Sequence, residues 1–149
     1  MRAVAQRVKG ARVEVDGRIT GSIETGLMVF LGVGGDDDLA DGEFMADKLA
    51  NLRIFGDDED RMNLSVKDAG GAILLISQFT LYGDCRKGRR PSFDAAAEPE
   101  QAKKLYEDTI ALIRAKGVAV ETGIFAARMQ VFSQNDGPVT FILDSKKKF

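Results

Sequence analysis

Two unbroken apolar runs constrain this chain more than any other feature: Leu27-Met28-Val29-Phe30-Leu31-Gly32-Val33 and Ala72-Ile73-Leu74-Leu75-Ile76. Neither alternates with polar residues, so both read as strands buried on two faces. Gly34-Gly35 ends the first and Gly70-Gly71 opens the second. Period-two stretches at Val4, Gln6, Val8 and at Val13, Glu14, Val15 predict further strands, and Asp16-Gly17 is a hairpin turn into Arg18-Ile19-Thr20-Gly21-Ser22-Ile23. A helix is predicted near 37–51. Asp36, Asp37 and Asp38 supply capping oxygens at its start, and Phe44, Met45, Lys48, Leu49 and Leu52 follow three-and-four spacing. A second helix opens at Pro99, carries the stripe Ala102, Leu105, Tyr106, Thr109, Ile110, Ile113, and stops at Gly117. Arg53-Ile54-Phe55 and Met62-Asn63-Leu64 read as short strands around an acidic loop. Val118-Ala119-Val120-Glu121, Met129-Gln130-Val131-Phe132 and Val139-Thr140-Phe141-Ile142-Leu143 complete the sheet, with residues 135–138 as the link between the last two. The pattern is a mixed, strand-rich α/β domain over residues 1–149, with a largely antiparallel sheet and two main helices.

The residues that are absent narrow the chemistry. The 149 residues include one cysteine, Cys85, and no histidine. An internal disulfide, imidazole metal ligands and Cys-His nucleophilic pairs are therefore all unavailable, and neither a metal nor a cofactor is expected. Histidine is the side chain best suited to moving protons near neutral pH. Catalysis without it needs another base, a substrate that brings one, or a bond that breaks easily. At 44% hydrophobic and 30% charged residues the composition is that of a globular protein with a real core. No apolar run approaches the roughly 20 residues that span a bilayer, and Met1-Arg2-Ala3-Val4-Ala5-Gln6-Arg7 lacks the apolar stretch of a secretory signal, so a cytoplasmic protein is expected.

Two polar segments are joined directly to apolar strands: Ser77-Gln78-Phe79-Thr80-Leu81 and Asn135-Asp136-Gly137-Pro138-Val139-Thr140. Such junctions hold hydroxyls, amides and free backbone groups firmly while leaving them accessible. Each also reads as ordinary turn chemistry when taken alone. Net charge is −2, yet Arg86-Lys87-Gly88-Arg89-Arg90 puts four cations in five residues just after the first junction. That run suits a phosphate-bearing substrate, and equally a solvated loop.

The chain resembles the bacterial D-aminoacyl-tRNA deacylase family nearly end to end. The likeness rests on Met1-Arg2-Ala3-Val4 with Gln6-Arg7-Val8, Asn51-Leu52-Arg53-Ile54-Phe55, Met62-Asn63-Leu64-Ser65, residues 77–84, Arg89-Arg90-Pro91-Ser92-Phe93 and residues 135–140. The two junctions correspond to the family's two signature motifs. The resemblance implies a layered β/β/α fold and a hydrolase that cuts the ester between a D-amino acid and the 3'-terminal adenosine of tRNA, with glycine on a wrong tRNA, such as tRNA-Ala, as a second substrate. It also implies a homodimer with the active site at or near the interface, into which Gly137-Pro138, held cis, is inserted to reject L-amino acids. Thr80, with the backbone N–H groups around Phe79 and Thr80, is then expected at the substrate carbonyl, and Gln78 and Ser77 orient that loop. Arg7 matches the arginine that braces the Gly-Pro segment. Phe125 and Met129 match positions lining the adenine pocket, and core packing accounts for them equally well. The chain departs from the family pattern at Cys85, Arg128 and Ser133-Gln134. A tRNA-binding module without catalysis, and a hydrolase of small D-amino acid esters or peptides, remain as alternatives.

Overall fold

The computed structural model describes residues 1–149. Its elements are β1 (Arg2–Val15), β2 (Arg18–Ile23), β3 (Gly26–Gly32), α1 (Leu39–Asn51), β4 (Phe55–Gly56), β5 (Met62–Leu64), β6 (Ala72–Ser77), a 3-10 helix (Phe79–Tyr82), α2 (Pro99–Ala115), β7 (Ala119–Thr122) and β8 (Gln130–Asp144). The main sheet runs β2-β1-β3-β6-β7, and β8 pairs along β1. The pairings of β1 with β2, β3 and β8 are antiparallel, while the two apolar runs lie side by side as the parallel pair β3-β6, with β7 parallel beyond them. β2 curls round to approach β7, so the sheet nearly closes on itself.

Both faces of the two apolar strands are buried, and the residues divide by parity as a pleat requires. Leu27, Val29, Leu31, Ile73 and Leu75 join a core shared with Met45 and Leu49 of α1 and Leu105, Tyr106, Ile110 and Ile113 of α2. Met28, Leu74 and Ile76 enter a smaller core with Val8, Ala11, Val13 and Ile23 inside the curl. β1 serves both cores. Ala3 and Ala5 face the helices, whereas Ala11 and Val13, of the same parity, face the curl. An extra residue on β1 makes the switch, because Val8 pairs Asn135 while Gly10 pairs Gln134, and such a bulge turns the pleat over.

The first helix starts two residues later than the sequence spacing predicts. Asp38 is its N-cap, accepting from the N–H groups of Ala40 and Asp41, and Asp41 reciprocates with the Asp38 N–H. Asp37 turns inward instead. It is buried, and it binds the Gly34 N–H at 2.6 Å and the Met1 ammonium at 2.7 Å. Another difference concerns residues 135–138. They are not a link between two strands but part of one 15-residue strand, β8, whose pairing with β1 breaks off at Asn135 and resumes at Thr140. Four residues of β8 therefore bow out opposite the single residue Arg7. No helix is long and apolar enough to cross a membrane.

Candidate active site

Strand β6 delivers Ser77 at its C-terminal end, and the chain then tightens into the one-turn 3-10 helix. The turn is tied to β3 by the Gln78 N–H donating to the Leu31 carbonyl at 2.8 Å. Within it the Leu81 N–H donates to the Gln78 carbonyl at 3.3 Å and the Gly83 N–H to the Thr80 carbonyl at 3.0 Å. The first N–H groups of a helix have no partner inside it, which leaves those of Phe79 and Thr80 free to meet a ligand. Phe79 and Thr80 are exposed. The Gln78 side-chain amide donates to the Thr80 hydroxyl oxygen, so the Thr80 proton is directed away from Gln78 and Thr80 serves as a donor.

Beside this turn lies a cavity of about 590 Å³. Ser77, Gln78 and Phe79 form one wall, Phe125 and Met129 another, and Phe93 and Pro99 contribute a third. Phe93 meets Phe79 edge to face with ring centroids 5.0 Å apart, and Phe125 also packs on Tyr106 at 6.0 Å. Phe125 and Met129 pack against the two cores and also line this cavity. The lining is mostly apolar, with Ser77 and Gln78 as polar residues on the turn side and Glu98 beside Pro99.

Arg7, Gly137 and Pro138 stand elsewhere on the sheet. Arg7 donates from Nε to the Asp136 carbonyl at 3.1 Å and from a terminal nitrogen to the Ile54 carbonyl at 2.7 Å, and its Nε lies 3.5 Å from the Asp136 carboxylate. It thereby ties the bowed segment to the chain leaving α1. Asn135 closes the bow from inside: its Oδ1 accepts from the Val139 N–H and its Nδ2 donates to the Thr140 hydroxyl, both at 2.9 Å. The Gly137-Pro138 peptide is cis, and Gly137 has φ +134°. The pairing register places Ala3, Leu31 and Ser77 at one level of the sheet and Arg7, Leu27 and Ile73 at another, four residues along. With strands about 4.8 Å apart and about 3.3 Å rise per residue, three strand spacings and four residues separate the bow from Ser77 by about 20 Å along one chain.

The basic run is only partly free. Arg86 grips the Asp84 carboxylate through two nitrogens, at 2.9 and 2.6 Å, which holds that carboxyl well below the usual carboxylate range. Lys87, Arg89 and Arg90 are exposed, as is Cys85 between them and the turn. No group of three His, Cys, Asp or Glu side chains is placed to hold a metal ion.

Sequence reasoning did not single out Arg2, Asp37 and Tyr82, all of which stand behind the turn. Arg2 lies within the N-terminal segment that carries the resemblance, but nothing in its spacing indicates where its side chain goes.

The turn thus sets the exposed Thr80 hydroxyl and the first N–H groups of a short helix next to Phe79, which lines the cavity. The chain belongs to the D-Tyr-tRNA(Tyr) deacylase family, whose model matches residues 4–144. It is 63% identical to the D-aminoacyl-tRNA deacylase of Koribacter versatilis (strain Ellin345) and 62% identical to that of Fervidobacterium nodosum, each over 149 residues covering all of both chains. Among solved structures, the c-Myc DNA Unwinding Element Binding Protein superposes with a TM-score of 0.91 at 40% identity, covering 97% of this chain and 98% of that one. A structure described as a probable eukaryotic D-amino acid tRNA deacylase gives a TM-score of 0.80 at 18% identity, covering 95% and 97%, which is a likeness of fold.

Proposed function

We propose that this protein, as one domain over residues 1–149, hydrolyses the ester joining a D-amino acid to the 3'-terminal adenosine of tRNA, and also removes glycine from a wrong tRNA such as tRNA-Ala. The carrying observation is the 79–82 turn, which exposes the Thr80 hydroxyl and the amides of Phe79 and Thr80 next to a cavity lined by Phe79, Phe125 and Met129. The adenine occupies the apolar cavity, and the acyl carbonyl meets the turn. An aminoacyl ester is already activated, so a positioned water and donors for the developing oxyanion suffice. The water's oxygen bonds to the acyl carbon as the bond to the ribose oxygen breaks, and the water's proton passes to that departing oxygen, with the neighbouring 2'-hydroxyl as relay. Thr80 acts as a donor rather than a nucleophile, because its only side-chain partner, the Gln78 amide, is no base. Ser77 and Gln78 orient the turn.

Rejection of L-amino acids falls to Gly137 and Pro138, braced by Arg7. Their separation of about 20 Å from Ser77 along one chain, from the strand spacing and rise, supports an arrangement in which the bow of one copy enters the site of a second. β8 also supports this reading: its outer edge is unpaired, and Phe132, Phe141 and Ile142 are exposed on it, the last at 64%. Backbone atoms presented to the substrate's α-carbon would exclude an L side chain while accepting many D side chains and glycine. Lys87, Arg89 and Arg90 are exposed in the loop closed by the Asp84–Ser92 bridge, just before Phe93 of the cavity lining, and suit the phosphates of the acceptor end. Such an enzyme works in the cytoplasm, where aminoacyl-tRNA is used.

One preparation assayed on D-tyrosyl-tRNA, L-tyrosyl-tRNA and a D-tyrosine alkyl ester tests the proposal. Fast turnover of the first alone is expected. Binding without turnover of either tRNA would identify a tRNA-binding module, and equal turnover of the alkyl ester would identify a hydrolase indifferent to RNA.

A further inference from the structure

The 79–82 turn is a single turn long, and its N-cap Gln78 makes no side-chain capping bond. Its orientation has to be imposed from outside. Two residues immediately after Thr80 receive that support. Tyr82 points inward and is only 8% exposed, with its side chain lying on Gly34 so closely that a Cβ there would come 2.8 Å from two ring carbons and the hydroxyl oxygen. Its hydroxyl donates to Asp37 Oδ2 at 3.2 Å, and Asp37 is itself fixed by the Gly34 N–H and the Met1 ammonium. Burial, together with the adjacent Asp37 carboxylate, pushes the Tyr82 hydroxyl well above its ordinary pKa, so it stays a donor. On the other side Arg2 donates to the Leu81 carbonyl at 3.1 Å, lays its guanidinium 4.5 Å from the Tyr82 ring centroid, and is anchored by Asp144 at 3.4 Å. Three separate parts of the fold converge on the turn: the start of β1, the loop before α1 and the end of β8.

We propose that Arg2, Asp37 and Tyr82 are positioning residues that aim the Phe79 and Thr80 donors without touching the substrate, a role that rests on the reading of this turn as the oxyanion site. Each acts on the turn from behind. The cavity lining includes none of the three. Donors aimed at a developing charge lose their value with small displacements, and a misplacement of about 1 Å costs on the order of a hundredfold in rate. A hydroxyl deletion at Tyr82 leaves the ring on Gly34 and removes only the tie to Asp37.

The test is steady-state kinetics on D-tyrosyl-tRNA with Tyr82→Phe, Arg2→Met and Arg2→Lys, their double combinations, and Thr80→Ala as a reference for the turn itself. Tyr82→Phe and Arg2→Met are each expected to lower kcat by about tenfold with KM within about twofold, as a partial displacement of the donors requires. Arg2→Lys, which keeps a cation and a donor near the Leu81 carbonyl, should recover part of that loss. Tyr82→Phe combined with Arg2→Met should cost less than the product of the two single effects, because both release the same element. If both single variants keep wild-type kcat while Thr80→Ala is impaired, the positioning role is overturned and the turn remains the site. If Thr80→Ala also turns over at the wild-type rate, the reading of the turn fails and the positioning role falls with it. A loss that appears in KM alone, or only as a lowered melting temperature, equally overturns positioning.

Discussion

Replacing Gly137 with alanine bears most directly on how the bowed segment of β8 works. An ideal Cβ at this position lies 2.6 Å from Val139 Cγ2, 3.0 Å from the Val139 nitrogen and 3.3 Å from an Arg7 terminal nitrogen, and the backbone sits at φ +134°. Forcing an L residue into such a conformation costs about 1–3 kcal/mol. The close approaches must also be relieved, either by rotating Val139, whose N–H is held by Asn135, or by pushing Arg7 off the Asp136 and Ile54 carbonyls. Loss of one such hydrogen bond to a charged donor adds about 1.5–3 kcal/mol if the bond breaks fully. A combined cost of about 3 kcal/mol corresponds to a fall in Tm of about 6–12 °C for a chain of this size. Thermal melting should show that fall with a cooperative transition retained. Single-turnover deacylation should show a slower D-tyrosyl-tRNA reaction and a smaller D-to-L ratio, because the bow no longer sits where Arg7 holds it. A variant that melts within a degree of the parent and keeps both the D rate and the rejection of L would show this account of the bow to be wrong, since the added methyl would then meet nothing that matters.

Thr80→Ala should lower kcat on D-tyrosyl-tRNA by about 10²–10³, the usual loss for one oxyanion donor, with an unchanged melting curve; rates are read under single turnover. Converting Lys87, Arg89 and Arg90 together to glutamine should raise KM and flatten its dependence on log salt by about 0.7 for each phosphate that is no longer neutralised, whereas Arg86→Gln should do less because Asp84 already neutralises Arg86. The Asp41 carboxyl is 6% exposed, and although burial works against ionisation, hydrogen bonds from Lys146, Ser145 and the Asp38 N–H bring its pKa down to about 2. A carboxyl depressed in the folded state stabilises at pH above its unfolded value near 4, and that contribution of about 2 kcal/mol fades as pH falls toward 2. Lys146→Met should therefore lower stability at pH 6 more than at pH 2 in denaturant titrations, and an equal loss at both would rule the coupling out.

Most of the framework was legible because it depends on local pattern. The two apolar runs became β3 and β6, buried on both faces, and Pro99 opened α2 as its fixed φ favours. What escaped was set by register across strands. Residues 135–138 contain a turn-forming Asp-Gly-Pro sequence, yet β1 continues past them and re-pairs at Thr140, so the segment becomes a bow in one strand rather than a loop between two. Likewise Val4 to Val15 read as two strands, while a bulge near Gly10 joins them into one. Arg53-Ile54-Phe55 shrank to Phe55–Gly56, since the carbonyl of Ile54 is taken by Arg7. Within the candidate site, Ser77, Gln78, Phe79, Phe125 and Met129 line one cavity, which residues this far apart in sequence could not reveal without the fold. The support behind the turn was invisible for a different reason: three adjacent aspartates look alike in sequence, and only the packed fold distinguishes Asp38, which caps a helix, from Asp37, which holds Tyr82.

β1 is hydrogen-bonded on both edges, to β8 along nearly its whole length and to β3 and then β2 on the other side. Arg2 reaches the 79–82 turn from one end of this strand and Arg7 grips the bow five residues further on. The strand thus works as a ruler between the two motifs, and its length matters more than most of its side chains. Removing one residue between Arg2 and Arg7 would shorten that interval by about 3.3 Å and turn every later side chain to the opposite face. Exchanges of one small apolar residue for another at Ala3 or Ala5 leave the interval intact.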